Sequence, residues 1–474
     1  MEVGKRKLAD GKLSVYFAFM IFRTLLLGCF FAVTSAVAAP PPLRVTKDGR
    51  HLENVDGKPF FMLADTGWEL FHRLKDEEAD LYLQKRASQG YNVIFAVALA
   101  EHDLSVPDAY GNPMLHDNDP AKPNEAYFAR IDAIVKRAGE LGLYVGFLPT
   151  WGDKWNKKWG KGPEIFTPEN ARAYGEWLGK RYADAPLFWI LGGDRPVEND
   201  AHRAIIRAMA EGLKKGDGGK HLMSFHPSGT SNSSEYWPNE KWLDFHMFQS
   251  GHGKAKDKPN DEYNRVNRAL QPVKPTFDGE PRYEDHPVRE IPKEGSEWYD
   301  AFDARQAAWW DVLSGSCGHT YGNNSIWQFW TPAREPIALA RTPWQQALDH
   351  EGGKQMGYMR AFFEKMDWQT LAPQQDLLIG DKGEGGSRIL AMMTNMGDMA
   401  VAYTPHGKAV HLDLRVLKAW KPDGTQVMGE WFNPRTGKTQ SLFINSGTGW
   451  DVSFKPKGEA VRGNDWVLWL RVKK

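Results

Sequence analysis

The sequence predicts an α/β chain: a (β/α)8 barrel followed by a small C-terminal antiparallel β-sandwich. Three observations carry that reading. Eight short apolar runs alternate with amphipathic helical segments through most of the chain, the grammar of parallel strands and covering helices. From about Pro373 that periodicity fades into short alternating runs split by turns. No glycine-rich phosphate loop follows the first run, so a dinucleotide-binding sheet is not expected.

Taken in order, residues 1–38 read as a secretory signal peptide. Lys5, Arg6, Lys7 and Lys12 precede an apolar run, interrupted by Arg23, that ends in Ala36-Val37-Ala38. Cleavage is expected after Ala38, which makes the mature chain secreted or periplasmic. Leu26-Leu27-Gly28-Cys29 has the look of a lipoprotein box, but the apolar FFAV after it argues against anchoring at Cys29. The 60 basic and 60 acidic residues balance, and removing the signal takes away five basic and two acidic ones, leaving about −3. Nothing in that balance suggests a nucleic-acid partner. No later stretch approaches about 18 uninterrupted apolar residues, so no membrane span is expected after the signal. Cys317 is then the sole cysteine, and no intrachain disulfide is possible.

The barrel is placed at residues 39–372, opening with an N-terminal hairpin whose turns are Asp48-Gly49 and Asp56-Gly57. Strands are expected at Pro59–Leu63, Asn92–Leu99, Leu143–Leu148, Leu187–Leu191, His221–Phe225, Trp242–Phe248, Lys274–Phe277 and near Gly315–Thr320. Between them, Asn124 caps a helix running to Leu141, with Phe128, Ile131, Val135 and Ala138 on one face and Gly142 as the stop. Thr167-Pro168 opens a second helix, and Asp200 is the expected cap of a third, whose Ile205, Ile206, Met209 and Leu213 face inward. The sandwich occupies 373–474. Its Trp420, Trp431, Trp466 and Trp469 alternate with apolar neighbours as core residues do, and its expected role is to pack on the barrel.

Chemistry gathers where the strands end. The first strand delivers Asp65 and Trp68, the second Glu101 and His102, the third Trp151, and the fourth Asp194 and Arg195. His226 follows the fifth, Gln249 and His252 the sixth, Glu280 and Arg282 the seventh, and His319, Tyr321 and Trp327 the eighth. Polar and aromatic residues after nearly every strand mark one functional face. Within LFWILGGDRP, a fully apolar strand runs into two glycines and then Asp194; the plainer readings of that Asp are a helix cap or a pair with Arg195. Asp194 and Glu280 end strands four and seven, which face each other across an eight-stranded barrel. Retaining glycoside hydrolysis needs such a pair about 5–5.5 Å apart. Arg195 or Arg282 beside one of them would keep it ionised, and an ion pair with Arg282 is the structural alternative for Glu280. A metal hydrolase built on His226, His246, His252 and His319 is a rival reading, but no HxH pair follows strand one. Sugar-binding or core histidines are preferred, and no metal and no cofactor is assigned. Twenty Trp among 12% aromatics suit either a sugar cleft or a large aromatic core. Trp155 and Trp159 are read as packing a long loop. A non-catalytic glycan-binding protein stays open as another class.

LADTGWELFHRL, LAEHD, DPAKPNEAYF, LPTWGDKW, GPEIFTPENARAYG, WILGGDRP, FHPSG, WLDFHMFQSGH, KPTFDGEPRYE and GHTYGNNSIWQ resemble, in order, glycoside hydrolase family 140, the apiosidase-like proteins. The likeness runs from about Leu43 to Trp368, and WFNPRTGK resembles the small β-domain that commonly follows this barrel. It implies a retaining barrel with Asp194 as acid/base and Glu280 as nucleophile. The substrate it implies is a plant polysaccharide or oligosaccharide, with cleavage of β-apiose from galacturonic acid in the pectin rhamnogalacturonan-II. Another pentofuranoside or uronic-acid-linked glycan fits the same motifs. One departure is Thr66-Gly67-Trp68, where many relatives read Thr-Ala-Trp.

Overall fold

Eight parallel strands form the centre of the computed structural model, which describes residues 39–252, 259–288, 295–417, 427–442, 444 and 450–472. The expected signal peptide and Trp420 lie outside the described residues. The strands are β1 (Met62–Thr66), β2 (Val93–Leu99), β3 (Tyr144–Thr150), β4 (Leu187–Gly192), β5 (Met223–His226), β6 (His246–Gln249), β7 (Thr276–Asp278) and β8 (Gly318–Tyr321). Six of them make one sheet in the order β8-β1-β2-β3-β4-β5, and β6 pairs with β7, all parallel. Backbone hydrogen bonds bridge both seams: Asp244 N–H donates to the Met223 carbonyl (2.8 Å) and Cys317 N–H to that of Thr276 (2.9 Å). The curled sheet is consistent with a (β/α)8 barrel.

The unbroken apolar runs follow from burial on both faces. Val93, Phe95 and Val97 join Phe188, Ile190, Met247 and Phe277 in the inner core, while Ile94, Ala96 and Ala98 pack outward beneath the helices. The expected first strand is corrected. Pro59–Phe60 closes a three-stranded antiparallel sheet with Leu43–Val45 and Leu52–Asn54, and the parallel strand begins only at Met62.

The main helices are α1 (Asp76–Ser88), α2 (Glu125–Glu140), α3 (Pro168–Arg181), α4 (Asp200–Asp217), α5 (Asp261–Arg268), α6 (Ala301–Leu313) and α7 (Glu351–Phe363). Asn124 caps α2 through the Ala126 N–H, and Thr167 caps α3. The cap of α4 is Asn199, which accepts from His202 N–H, and not Asp200. Asn199 has the extended backbone that a cap requires, so the helix starts at Asp200, one residue earlier than expected.

The C-terminal strands are β9 (Leu371–Pro373), β10 (Leu390–Thr394), β11 (Met399–Thr404), β12 (Val410–Asp413), β13 (Val427–Asn433), β14 (Lys438–Leu442), β15 (Asp451–Phe454) and β16 (Trp466–Val472). They form two antiparallel sheets, a six-stranded one ordered β9-β10-β11-β16-β13-β14 and the pair β12-β15. Alternation divides the larger sheet's side chains. Leu390, Met392, Val401, Tyr403, Phe432 and Trp469 pack with Trp309 and Phe362 of α6 and α7, while Ala391, Ala402, Trp431 and Leu468 share a core with Val410 and Phe454 of the smaller sheet.

A buried ion pair crosses the first of these faces. Arg305 of α6 donates through Nη2 and Nε to Asp465 at 2.8 and 3.0 Å, with neither side chain more than 5% exposed. Asp465→Ala strands the guanidinium and is expected to lower unfolding free energy by roughly 3–5 kcal/mol in denaturant titration. A loss below about 1 kcal/mol, the range of exposed pairs, would show the pair to be dispensable.

Candidate active site

The end of β4 explains the glycine pair. Gly192 and Gly193 have φ of 93° and 104°, and Asp194 follows at 53°. A Cβ at Gly192 would lie 2.3 Å from the His226 carbonyl oxygen, and one at Gly193 would lie 2.7 Å from the Gly152 nitrogen. The chain therefore turns left-handed between the ends of β3 and β5 where no side chain fits. Aspartate is among the few non-glycine residues that tolerate such a φ. The turn is laced on both sides: Gly152 N–H donates to the Gly193 carbonyl (3.0 Å), Gly193 N–H to that of His226 (3.1 Å), and Asp194 N–H to His226 Nδ1 (3.1 Å). Asp194 caps no helix, since Asn199 does that, but its pair with Arg195 exists: Nη1 donates to Oδ2 at 3.1 Å.

The last of those turn bonds sets a tautomer. A backbone N–H only donates, so in the neutral ring His226 Nδ1 accepts and the proton sits on Nε2. That atom lies 3.0 Å from Glu280 Oε2, with His252 Nε2 3.8 Å from Oε1. Tyr283 hydrogen-bonds Glu280 as well, and its hydroxyl accepts from Trp68 Nε1–H at 2.9 Å. Glu280 N–H is tied to Asp278 Oδ1 at 3.3 Å. Burial alone would push the Glu280 carboxyl up. The His226 hydrogen bond and the field of the two imidazoles overcome it and hold the carboxyl below its ordinary value. Asp194 moves the other way, raised by burial and then by the Glu280 charge, with Arg195 opposing. Two carboxyl groups that feel each other are thus pushed apart in acidity.

Arg195, fully buried, also reaches Glu101, its Nη2 donating to Oε1 at 3.2 Å. Burial pushes Glu101 up to about 8, helped by the Asp194 charge and opposed by Arg195. Trp159 covers this group. Its ring lies 4.6 Å from the Arg195 guanidinium carbon, its Nε1–H points at Asp194 Oδ2 from 3.4 Å, and 61% of the residue is exposed. The loop that carries it is cinched from below, where Asp153 accepts from the Lys161 and Gly162 N–H groups.

The structure thus brings together Asp194, Glu280, Glu101, Arg195, His226 and His252, over a floor formed by Trp68 and Trp151 against His226. His102 follows Glu101 but turns toward Glu69, 3.1 Å away. Gln249 ends β6, buried, with its Oε1 unpartnered, and Trp327 packs half-buried against the inner core. Four expected contact residues are elsewhere. Asp65 is wholly buried on Arg86 and Tyr82 (2.7 and 2.6 Å). Arg282 turns away to Gln306 (2.8 Å), so the groups beside Glu280 are histidines and a tyrosine and neither expected arginine. His319 pairs with Asp311 of α6 (2.8 Å), and Tyr321 donates to Glu284. Each finds its partner behind the strand, because buried ionisable groups must be satisfied inside the wall. Of the histidines of the rival metal reading, His226 and His252 meet at Glu280, while His246 lies beside Ser233 and His319 on Asp311. Gly67 backs onto Tyr82, whose hydroxyl would lie 2.7 Å from an alanine methyl, so the departure at this position goes with the Tyr82–Asp65 contact.

Tyr283 was not among the expected residues, and Trp159 was expected only to pack its loop. Tyr283 sits three positions beyond Glu280, a spacing without meaning until the backbone turns there. Trp159 belongs to a loop that only the Asp153 anchor positions.

A family description, apiosidase-like catalytic domain, matches residues 46–370, and a collagen-binding-like domain matches residues 372–471. Among solved structures, one described as a glycoside hydrolase is 31% identical, covering 91% of this chain and 97% of its own, with a TM-score of 0.81. A glycoside hydrolase family 5 protein from Bacteroides vulgatus is 29% identical, covering 91% and 93%, with a TM-score of 0.82. Comparison with the curated proteins gives no match.

Proposed function

The chain belongs to the apiosidase-like family and is a glycoside hydrolase, and from that premise we propose a retaining mechanism on a closed (β/α)8 barrel, with Glu280 as nucleophile and Asp194 as acid/base. One observation supports it most: the two carboxyl groups are driven in opposite directions, Glu280 toward the ionised form and Asp194 toward the protonated one. In the first step Glu280 attacks the anomeric carbon while Asp194 gives its proton to the departing glycosidic oxygen. Asp194, now ionised, then takes a proton from the water that releases the sugar from Glu280. The His226 N–H stabilises Glu280 as a carboxylate before attack and again as it leaves.

The proposed substrate is a β-apiosyl linkage to galacturonic acid in the plant pectin rhamnogalacturonan-II. The family's name supports apiose as the sugar, and the signal-like residues 1–38 support a secreted or periplasmic enzyme meeting an external polymer. Among the described residues no helix is long and apolar enough to cross a membrane. The test is incubation of the protein with rhamnogalacturonan-II, beside arabinan and xylan, with chromatography of the released sugars. Apiose-terminated products from the first polymer alone support this substrate. Products from another glycan keep the carboxyl pair and discard apiose, and no product from any glycan would favour a binding protein.

The pH dependence of kcat/KM follows from the signs. Activity needs Glu280 ionised and Asp194 protonated. It is expected to rise as pH climbs through the depressed Glu280 value and to fall as pH passes the raised Asp194 value. A bell is the expected profile, with its alkaline limb missing in Asp194→Asn. A wild-type profile flat through the acidic and neutral range would contradict these assignments.

A further inference from the structure

Beside the carboxyl pair lies a second cluster that the mechanism does not use. Glu69 precedes and His72 lies within the one-turn helix Leu70–Arg73 after β1, and His102 follows β2. Glu69 is 1% and His72 3% exposed. Glu69 Oε2 lies 3.1 Å from His102 Nε2 and 3.7 Å from His72 Nδ1, and all three atoms fall within 4.8 Å of one another. Glu69 shares a hydrogen bond with His102 that is bent from ideal geometry, and His72 Nδ1 finds no partner. A buried nitrogen lone pair aimed at that carboxylate–imidazole pair with no donor of its own is costly unless something else satisfies it.

The second partner of His72 identifies that something. Its Nε2 lies 3.0 Å from the Val106 carbonyl, which only accepts, so Nε2 carries the proton and the Nδ1 lone pair points into the cluster. A backbone carbonyl holding one imidazole nitrogen while the other stays free is the usual support of a metal-ligating histidine. Separations of 3.1 and 3.7 Å bracket the edge of about 3.3 Å expected between ligand atoms of a tetrahedral zinc site. Two imidazoles and a carboxylate also suit zinc better than calcium or magnesium, which prefer all-oxygen sets.

We propose that Glu69, His72 and His102 bind one divalent transition-metal ion of the zinc class. Among the described residues it is the one such trio whose ligand atoms converge. His72 and His102 also line a cavity of about 390 Å³, together with Asp108, Arg73 and Arg334 among others, which has room for water. The ion pins the turn after β1 to the loop after β2, and so fixes the backbone next to Glu101, the carboxyl held by Arg195. In this proposal His102, expected to touch sugar, serves as a metal ligand.

The test uses the full-length protein, equilibrated with zinc chloride, freed of excess ion by gel filtration and analysed for zinc by mass spectrometry. About one zinc per chain is expected, and cobalt in its place is expected to give the intense visible bands of a tetrahedral site. His102→Ala, partly exposed and therefore tolerated by the fold, is expected to weaken zinc affinity roughly tenfold or more. Circular dichroism checks that this variant remains folded, and His72→Ala gives a second test of the same site. A wild type that retains no zinc, or both folded variants holding zinc as tightly as the wild type, overturns the proposal. None of these readouts depends on glycosidase activity, so the site stands or falls apart from the reaction assigned to Asp194 and Glu280.

Discussion

Glu280→Gln is expected to lose roughly a thousandfold or more of glycosidase activity while unfolding near the wild-type temperature. The amide keeps the shape and one acceptor for the His226 N–H, which lies 3.0 Å from the carboxylate, so the wall of the site stays intact. It loses the charge that attacks the anomeric carbon. It also removes one of the two influences that raise Asp194, namely the charge of Glu280, so the alkaline limb should move to lower pH in any residual activity. Steady-state rates together with thermal unfolding check this, and turnover at the wild-type rate would remove Glu280 from the mechanism.

Asp194→Asn is expected to cost about a hundred- to ten-thousandfold on natural glycans, whose departing alcohols need a proton. The loss should be far smaller for aryl glycosides with acidic leaving groups, which depart unaided. Azide should then restore turnover by attacking the glycosyl-enzyme without help from a base. Equal losses on both substrate types, with no azide effect, would make Asp194 a positioning residue and not the acid. The Arg195 contact gives this comparison its force, because Oδ2 already accepts from Nη1 at 3.1 Å and an asparagine turned the wrong way would disturb Glu101 through the same arginine. Measuring the aryl substrate separates that disturbance from loss of the proton.

Much of the fold was legible because it rests on patterns that local physics reads. Unbroken apolar runs mean strands buried on both faces, and those after β1 fall within a few residues of their predicted places. The misses are instructive. Pro59–Leu63 forms one apolar run, yet Pro59–Phe60 and Met62–Thr66 belong to different sheets, and nothing local marks the switch at Phe61. Asn199 and Asp200 are both good caps, and only the backbone angles choose between them. At the site, position along a strand told which residues come to one edge but not which way each side chain turns. Asp194 emerges where the glycine pair predicts. Asp65, Arg282, His319 and Tyr321 stand at or just beyond equivalent strand ends, but each found a buried partner between eight and 37 residues away. Tyr283 went unnoticed and Trp159 was read as loop packing for the converse reason, since their places depend on turns that only the assembled barrel-like sheet creates.

The central claim is a retaining reaction through Glu280, and methanolysis tests it most directly. The protein is incubated in dilute methanol with whichever glycan it cleaves, and the methyl glycoside is examined by proton NMR. Two displacements at one carbon predict a methyl glycoside with the anomeric configuration of the substrate. A methyl glycoside of inverted configuration, or inverted free sugar with no methyl glycoside at all, would contradict the account.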